Sequence, residues 1–508
     1  MKSPCLNGVF ILTTFALSGY AGIVQGVVVE NTSGRPVART IVRLDRVSEF
    51  TGAKNESLVT RAALSGHFEF PPVSPGAYIL TAEREGFFPA AFGQKLPMGR
   101  AKPFQVSADS DTFAELRLRH MGAVSGRVLD ENGVGTARIT VFAYRARLPL
   151  RSAGSAVSDD RGVFRISGLE PGKYWVRSGA YTLDDGTGWL PTFASQGRET
   201  RDARTYQTTV DSETTDGDVR PEPGVLFRLA GVIACDTDGP VDVILSSETG
   251  RRRTQTACKG AYKFDGLAPG VYEVFATLQD GTAAGFTDLL LDHNTEGVNV
   301  PVLQLPIVDF EVRRAGSNSI VNIPVRVTGR RQDLSETDAD REIGNTRASL
   351  APGHWELKAQ VPSGQYVVSM VNERSAPRRP WTIERASDRF EVFIEPRLPQ
   401  RIRITVSDEA GQIAGSVMTD SKPVPGAPVF LWPVSESARR SLAGSLQARS
   451  DTEGRFRFDS LPPGDYRILS TFDANEGDLE LMELAGARLV HADALQTATI
   501  ELPVWSAP

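Results

Sequence analysis

Apolar and polar residues alternate along most of this chain in short runs that glycine and proline interrupt. A typical run is Gly162-Val-Phe164-Arg-Ile166, in which large apolar side chains fall on every second position. A period of two places successive side chains on opposite faces of a strand, so one face can be buried while the other meets solvent. The three-to-four spacing of an amphipathic helix is almost absent. The pattern therefore predicts an all-β protein.

The same run recurs five times. Each copy begins with glycine, alternates through two aromatic or apolar residues, and reaches a Pro-Gly-x-Tyr phrase or a variant of it. The copies begin at Gly66, Gly162, Gly260, Gly353 and Gly454, at intervals of 93 to 101 residues. The fourth copy is weaker and has Ser363 in place of the proline. Regular spacing of this kind indicates tandem repeats.

Each repeat predicts a β-hairpin. The Pro-Gly pair suits a type II turn, because proline fixes φ at the second position and glycine accepts a positive φ at the third. The chain then returns as a second alternating strand, such as Tyr174-Trp-Val176. We expect Gly172 and Gly464 to require a positive φ.

Further strands flank each strong hairpin. Upstream, a glycine within a strand precedes a turn and a β-branched run, at Gly26, Gly126, Gly231 and Gly415. Downstream lies a closing strand, such as residues 113–118 or 499–504. Six or seven short strands per repeat, with turn signals between them, predict five tandem antiparallel β-sandwich modules of the immunoglobulin-like or prealbumin-like type.

Three stretches resemble a known family. They are SGRVLDENG from Ser125, SDDRGVFRISGLEPGKYWV from Ser158 and SDTEGRFRFDSLPPGDYRI from Ser450. These resemble carboxypeptidase-regulatory-like domains, which share a transthyretin-like sandwich. The resemblance is to the accessory domain of metallocarboxypeptidases and does not extend to their catalytic domain. It also extends to secreted bacterial proteins in which such modules are strung together.

The repeats set the expected domain boundaries. We predict a signal peptide at residues 1–21 and modules at residues 22–120, 121–223, 224–302, 303–400 and 401–508. The second module includes a long excursion over residues 184–223. The fourth is expected to be a divergent immunoglobulin-like sandwich, and the others carboxypeptidase-regulatory-like sandwiches.

The first residues are typical of an export signal. Lys2 precedes an apolar run from Val9 to Leu17, and small residues follow up to Ala21. An uncleaved anchor is the alternative. No later run is long and apolar enough for a spanning helix, so we predict no transmembrane segment in the mature chain. The expected location is periplasmic, outer-surface or extracellular.

Composition and motifs argue against catalysis and nucleic-acid binding. The net charge of −6 is small for 508 residues. The sequence contains neither an HExxH zinc motif, nor a G-x-S-x-G nucleophile elbow, nor a phosphate-binding loop. We therefore predict that the protein is not an enzyme, with no catalytic, cofactor-binding or metal-binding residues and no cofactor.

Two features could suggest a metal site. His67 with Glu69, and His354 with Glu356, each share a strand face, which we predict to be a solvated polar ladder. Asp184-Asp185-Gly186 and Asp216-Gly217-Asp218 resemble fragments of calcium loops but lack the full ligand series. We interpret both as acidic turns.

The two cysteines that follow the signal predict a disulfide. Alignment of the second and third repeats places Cys235 at the position of Asp130 and Cys258 at that of Asp160. Both positions are expected in turns at the same end of a sandwich. A pair of cysteines in one module of an exported protein is typical of a disulfide bond.

Aromatic residues outside the alternating strands are candidate ligand contacts. They are Phe87, Phe88, Phe92, Trp189 and Phe193. Packing between modules is the alternative role. We interpret the protein as a non-catalytic exported scaffold or binding protein, with carbohydrate or another cell-envelope component as its ligand. The alternative function is an accessory spacer of an outer-membrane uptake or secretion system. The sequence does not predict the oligomeric state.

Overall fold

A computed structural model describes most of the chain from residue 22 onward. The described residues are 22–47, 57–96, 99–108, 111–146, 150–183, 186–194, 196–236, 238–247, 250–331, 340–374, 388–442 and 446–507. The predicted signal peptide and Asp184-Asp185 lie outside them. The chain divides into two compact units, the first ending at His120 and the second beginning at Met121.

The first segment, residues 22–120, forms a two-sheet sandwich. Its strands are β1 (Ile23–Glu30), β2 (Ile41–Arg46), β3 (Ser57–Arg61), β4 (His67–Glu69), β5 (Gly76–Glu83), β6 (Ala90–Ala91), β7 (Phe104–Val106) and β8 (Asp111–Leu118). One sheet has the order β4-β1-β8, and the other has the order β3-β2-β5-β6 with β7 also paired to β5. Val24 and Leu116 from the first sheet share a core with Leu44 and Leu80 from the second.

The second segment, residues 121–225, has the same plan with an added small sheet. Its elements are β9 (Gly122–Arg127), β10 (Thr140–Arg145), β11 (Ser152–Val157), β12 (Val163–Leu169), β13 (Gly172–Ser178), β14 (Tyr181–Thr182), β15 (Thr187–Leu190), a 3₁₀ helix (Thr200–Asp202), β16 (Thr205–Thr208), β17 (Glu213–Thr214) and β18 (Glu222–Val225). The sheets are β12-β9-β17, β11-β10-β13-β16 and β14-β15-β18. The predicted excursion at 184–223 thus supplies two strands of the sandwich itself.

The third segment, residues 226–304, is one continuous sheet folded around a core. Its strands are β19 (Phe227–Cys235), β20 (Pro240–Ser247), β21 (Gly250–Ala257), β22 (Ala261–Leu267), β23 (Gly270–Leu278), β24 (Ala283–Leu291) and β25 (Thr295–Gln304). They follow the order β21-β20-β23-β24-β25-β19-β22. Ile233, Val243, Val274 and Val300 are fully buried in this core.

The fourth segment, residues 305–407, forms two four-stranded sheets. Its strands are β26 (Ile307–Arg314), β27 (Arg326–Arg331), β28 (Arg341–Gly344), β29 (Arg347–Ser349), β30 (Gly353–Gln360), β31 (Tyr366–Asn372), β32 (Phe390–Ile394) and β33 (Gln400–Ser407). The sheets are β29-β26-β33-β31 and β28-β27-β30-β32. Because β33 pairs with β26 and β31, the predicted boundary after residue 400 is misplaced and separates this strand from its own sheets.

The fifth segment, residues 408–507, adds two short helices to the strands. Its elements are β34 (Gly411–Thr419), β35 (Lys422–Pro423), β36 (Pro428–Pro433), α1 (Glu436–Leu442), β37 (Leu446–Arg449), β38 (Arg455–Leu461), β39 (Gly464–Thr471), α2 (Leu479–Leu484), β40 (Arg488–Ala492) and β41 (Thr497–Trp505). The order is β35-β34-β41-β39-β36-β37, with β38 paired to β34 and β40 to β39. Ile413, Val429, Phe456 and Leu502 are buried in its core.

The first and closing strands of every segment run parallel. The parallel pairs are β1 with β8, β9 with β17, β19 with β25, β26 with β33 and β34 with β41. The predicted hairpin is wrong, because the strands before and after each Pro-Gly turn do not pair with each other. In the first segment β4 pairs with β1 and β5 pairs with β2, so the turn connects the two sheets of the sandwich. The prediction of an all-β sandwich protein is confirmed. The parallel pairs were not predicted from the sequence.

The parallel pairs explain the glycines within the first strands. A Cβ atom on Gly26, Gly231 or Gly415 would overlap the backbone carbonyl oxygen of the closing strand beside it. At Gly26 and Gly415 it would also press on the phenyl rings of Phe68 and Phe456. Only glycine lets the closing strand and the aromatic side chain approach at the same point.

The strand after each turn is fixed by a hydrogen bond to that turn. In the fourth segment Trp355 makes this bond, so Gly353 corresponds to Gly172 and the predicted alignment of the fourth copy with Gly162 is wrong. An aromatic side chain donates to the carbonyl oxygen four residues upstream, over 2.6 to 2.9 Å, from Tyr78, Tyr174, Tyr272, Trp355 and Tyr466. Tyrosine corners of immunoglobulin-like sandwiches use a similar bond. Burial raises the pKa of Tyr272 to about 12, so its hydroxyl stays protonated and donating at neutral pH.

Two turn glycines have the positive φ that was predicted, although the turn differs from type II. Gly172 has φ 147° and Gly464 has φ 150°, far from the value of about 80° of a type II turn. This region of backbone space is almost restricted to glycine. A Cβ on Gly172 would in addition collide with the guanidinium of Arg145, which donates to Pro171 over 2.9 Å. Nothing lies within 4 Å of such a Cβ on Gly464.

This difference gives a matched pair of variants. We expect Gly464→Val to lower the free energy of unfolding by about 1–3 kcal/mol through backbone strain. Gly172→Val should cost about 1 kcal/mol more, because it also displaces Arg145 from its hydrogen bond. Chemical denaturation of the full chain measures both. Equal losses would contradict the role given to Arg145, and no loss would contradict the strain.

Candidate functional site

The three candidate aromatics of the first segment are buried or half-buried, and Phe87 and Phe92 pack against its core. Phe88 is only 2% exposed. Phe87 is half-buried and stacks on His120 with ring centroids 4.0 Å apart, while Phe92 meets Phe104 edge-on at 5.3 Å. The ring of Phe88 has no open face on which a ligand could stack, and its contact with a ligand stays a prediction.

The two candidate aromatics of the second segment also fill space within it. Phe193 is 1% exposed and lies beneath the guanidinium of Arg177, 5.1 Å from the ring centroid. Trp189 is half-buried against the core of the segment. Residues 191–194 and 196–204 fold over the outer face of β10 and β13 and bury the ring of Phe193. Its predicted contact with a ligand stays a prediction.

An exposed aromatic side chain lies elsewhere. Phe113, on β8, is 62% exposed, and no other aromatic residue in the described ranges is exposed to that degree. Its neighbours Ala114, Leu116 and Leu118 point into the core. The alternation could have revealed this arrangement, because Phe113 has the same phase as Glu115 and Arg117.

Polar side chains lie in one row with Phe113. The strand register sets Gln25 beside Phe113 and Glu69 beside Gln25, so the three share one face of the sheet β4-β1-β8. His67 and Glu115 form the next row on either side of Val27. The side chains of Gln25 and Glu69 make no hydrogen bond to any described residue. We call Gln25, His67, Glu69, Phe113 and Glu115 the Phe113 face.

One of the two predicted His-Glu ladders is solvated and the other is not. His67 and Glu69 are exposed, as predicted. Glu356, in contrast, is 4% exposed and pairs with Arg330 over 2.6 Å. His354 lies against the ring of Phe393, with centroids 4.8 Å apart. The prediction was wrong for the second ladder because the third segment covers that face.

The contact between the third and fourth segments contains a buried ion pair. Arg331 and Glu273 are joined over 2.9 Å, with side chains that are 5% and 1% exposed. The guanidinium of Arg331 lies 3.5 Å from the ring centroid of Phe275. Beside it, Phe286 meets Phe393 edge-on at 5.6 Å. We call these five residues the third–fourth junction.

Cys235 and Cys258 form the predicted disulfide. Their Cα atoms are 5.7 Å apart, at the end of β19 and just after β21. Cys235 is 7% exposed and belongs to the core of its segment. The expectation of a turn-exposed site is therefore wrong for Cys235, whose side chain faces inward at the end of the strand.

The remaining acidic candidates have structural partners. Asp216 pairs with Arg204, and the carboxylate of Asp218 accepts the backbone N–H of Arg127 over 2.8 Å. Across the described ranges, no group of three His, Cys, Asp or Glu side chains is arranged to hold a metal ion. No helix in the same ranges is both long and apolar enough to cross a membrane.

Comparisons with known proteins give only distant structural neighbours. No protein-family profile matches the chain, and no curated protein matches it in sequence. Among solved structures it is similar to GBS52, the minor pilin of Streptococcus agalactiae, with 13% identity over 40% of this chain and 95% of that chain and a TM-score of 0.24. It is also similar to BcpA, the major pilin subunit of Bacillus cereus, with 12% identity over 75% of this chain and 98% of that chain and a TM-score of 0.14. The chain is similar as well to a DUF3823 family protein from Bacteroides uniformis, with 12% identity over 53% of this chain and 99% of that chain and a TM-score of 0.15. These neighbours do not test the resemblance to carboxypeptidase-regulatory-like domains, which stays a prediction.

Proposed function

We propose that this chain is a non-catalytic exported protein of five tandem β-sandwich modules that binds carbohydrate of the cell envelope. The observation that carries the proposal is the Phe113 face. It combines an aromatic ring that is 62% exposed with an amide and a carboxylate that have no partner among the described residues.

The chemistry of this face fits a sugar ring. The flat apolar face of a pyranose can lie on the phenyl ring of Phe113, which offers a large contact area with few rotatable bonds. The Gln25 amide can both donate to and accept from sugar hydroxyls, and the Glu69 carboxylate can accept from them. Glu69 and Phe113 are two strands apart, about 9.6 Å, so one ring can reach both.

Two further observations support an exported modular scaffold. The Cys235–Cys258 disulfide is typical of proteins that fold in oxidising compartments. Five hydrophobic clusters each draw their buried residues from a single segment, which supports five separate modules.

A pair of variants tests the binding surface. We expect Phe113→Ala to weaken binding of the full chain to its best glycan on an array by about tenfold or more, through loss of the stacking contact. The matched control is Val59→Ala, at another exposed apolar position of the same segment. Calorimetric titration measures both. Equal affinity of the two variants, or no glycan bound by the parent chain, would show that this proposal is wrong.

The third–fourth junction favours a second candidate, a rigid spacer of an outer-membrane uptake or secretion system. A buried Arg331–Glu273 pair fixes two segments in one relative orientation, which a spacer requires. Co-purification with an outer-membrane transport protein, unchanged by Phe113→Ala, would favour the spacer over the glycan-binding protein.

A further inference from the structure

The fifth segment has an open trough on the outer face of its first sheet. Its floor consists of Ala414, Gly415 and Ser416 on β34, and its volume is about 680 Å³. One wall is formed by β38, and the other by β41. We define the trough by its lining residues, which are Ala414, Gly415, Ser416, Arg449, Asp451, Arg455, Phe456, Arg457, Thr499, Ile500 and Glu501.

The sequence produces this trough by placing small residues between long ones. Ala414 lies between Arg457 and Thr499 in the strand register, and Ser416 lies between Arg455 and Glu501. The side chains of each row share the outer face, because the intervening Gly415 row, with Phe456, faces the core. The two walls are therefore about 9.6 Å apart, and the trough runs along β34.

Arg455 remains along its own wall, whereas Arg457 also donates to the side-chain amide oxygen of Gln412, on β34, over 2.8 Å. Arg455 pairs with Glu453 over 2.6 Å, and Arg457 pairs with Asp459 over 2.5 Å. All four side chains are 41% to 71% exposed, so these pairs hold orientation and contribute little energy. The carboxylate of Glu501, on the opposite wall, makes no hydrogen bond to a described residue.

The corresponding surface of the second segment is closed. There Arg165 occupies the place of Arg457 in the repeat, and Ser125 lies on the adjacent strand. Arg165 reaches Glu213 over 2.9 Å. Hydrogen bonds from Ser125 and Arg165 lower the pKa of Glu213, so this carboxylate stays charged and paired. One repeat thus fills the space between its walls with an ion pair, and the fifth segment leaves it open.

We propose that the trough binds a linear polysaccharide that bears carboxylate groups and lies extended along β34. The planar guanidinium groups of Arg455 and Arg457 match carboxylates in bidentate geometry. Ser416 and Thr499 offer hydroxyls to the sugar hydroxyls, and the free Glu501 carboxylate accepts from them. The small floor residues let the chain lie close to the sheet. This site is separate from the Phe113 face and does not depend on it.

Titration of the full chain with oligogalacturonate tests the proposal. The matched neutral ligand is the same oligomer with its carboxylates reduced to hydroxymethyl groups. We expect the acidic oligomer to bind at least tenfold more tightly than the neutral one, with an affinity that falls as salt rises. The double variant Arg455→Gln with Arg457→Gln should lose this binding by at least tenfold. Arg165→Gln is the matched control and should leave it unchanged.

A second variant separates binding from folding. Ser416→Leu keeps both arginines but fills the floor, so it should also weaken binding at least tenfold while the denaturation midpoint stays near that of the parent. Equal binding of the neutral oligomer, an equal loss in Arg165→Gln, or no binding by the parent would each overturn the proposal. Phe113→Ala should leave oligogalacturonate binding intact, so failure of either proposed site is distinguishable from failure of the other.

Discussion

Replacement of Arg331 by alanine is expected to lower the free energy of unfolding by about 3–5 kcal/mol, because it leaves the Glu273 carboxylate buried without its counter-charge. Glu273 is 1% exposed, and its partner guanidinium also covers the ring of Phe275. The loss therefore combines an uncompensated charge with a lost cation–π contact. Equilibrium denaturation of the full chain in guanidinium measures it.

Two controls define this result. Arg145→Ala removes an arginine from the same strand position of the second segment, where the pair with Glu170 is 29% and 48% exposed. We expect that change to cost about 1 kcal/mol, since exposed pairs contribute little. The double variant Arg331→Met with Glu273→Leu should recover most of the stability, because apolar residues of similar size can replace a buried ion pair. A loss no larger in Arg331→Ala than in Arg145→Ala would contradict the junction.

Removal of the Cys235–Cys258 disulfide is expected to destabilise the third segment by about 3 kcal/mol. The bond closes a loop with a sequence separation of 23, and the chain-entropy relation gives a cost of this size for such a loop. Hydrogen exchange should become faster in β19 to β25, while the first segment keeps its protection. The double variant Cys235→Ala with Cys258→Ala, compared with the oxidised parent chain, measures the effect.

A reducing agent supplies the control for the disulfide. Dithiothreitol should destabilise the parent chain and leave the double cysteine variant unchanged. If the parent chain kept its full stability after reduction, the bond would have no role in the fold. A loss spread evenly over all segments would also contradict a local role.

The sequence predicted the buried faces of the strands and the positive φ of the turn glycines, because their determinants are local. It did not predict strand pairing, since the strands on either side of each turn pair with other strands and not with each other. Alternation around Gly162 and Gly454 decides which side chains face the core, and the positive φ of Gly172 and Gly464 follows from the turn. The disulfide was predictable for a related reason. Alignment of the second and third repeats with each other placed Cys235 and Cys258 at paired positions.

The features that the sequence analysis missed depend on residues distant along the chain. The glycine at position 26 is required by the carbonyl of Ala114, a contact that no local pattern encodes. Glu356 is buried because another segment covers it. Its position opposite the buried aromatic residues of the strand therefore predicted exposure to solvent wrongly. The burial of Phe88 and Phe193 was not predicted, because loop residues carry no alternation from which burial can be inferred.

The parallel pairing of first and closing strands has a mechanical consequence. In the first segment, eight residues of β1 lie beside eight residues of β8, both running in the same direction. The chain enters the segment at the start of one strand and leaves it at the end of the other. Tension on the two chain ends therefore pulls these strands in opposite directions along their length. All their hydrogen bonds are loaded together in shear, and the segment resists stretching more strongly than a hairpin that opens one bond at a time.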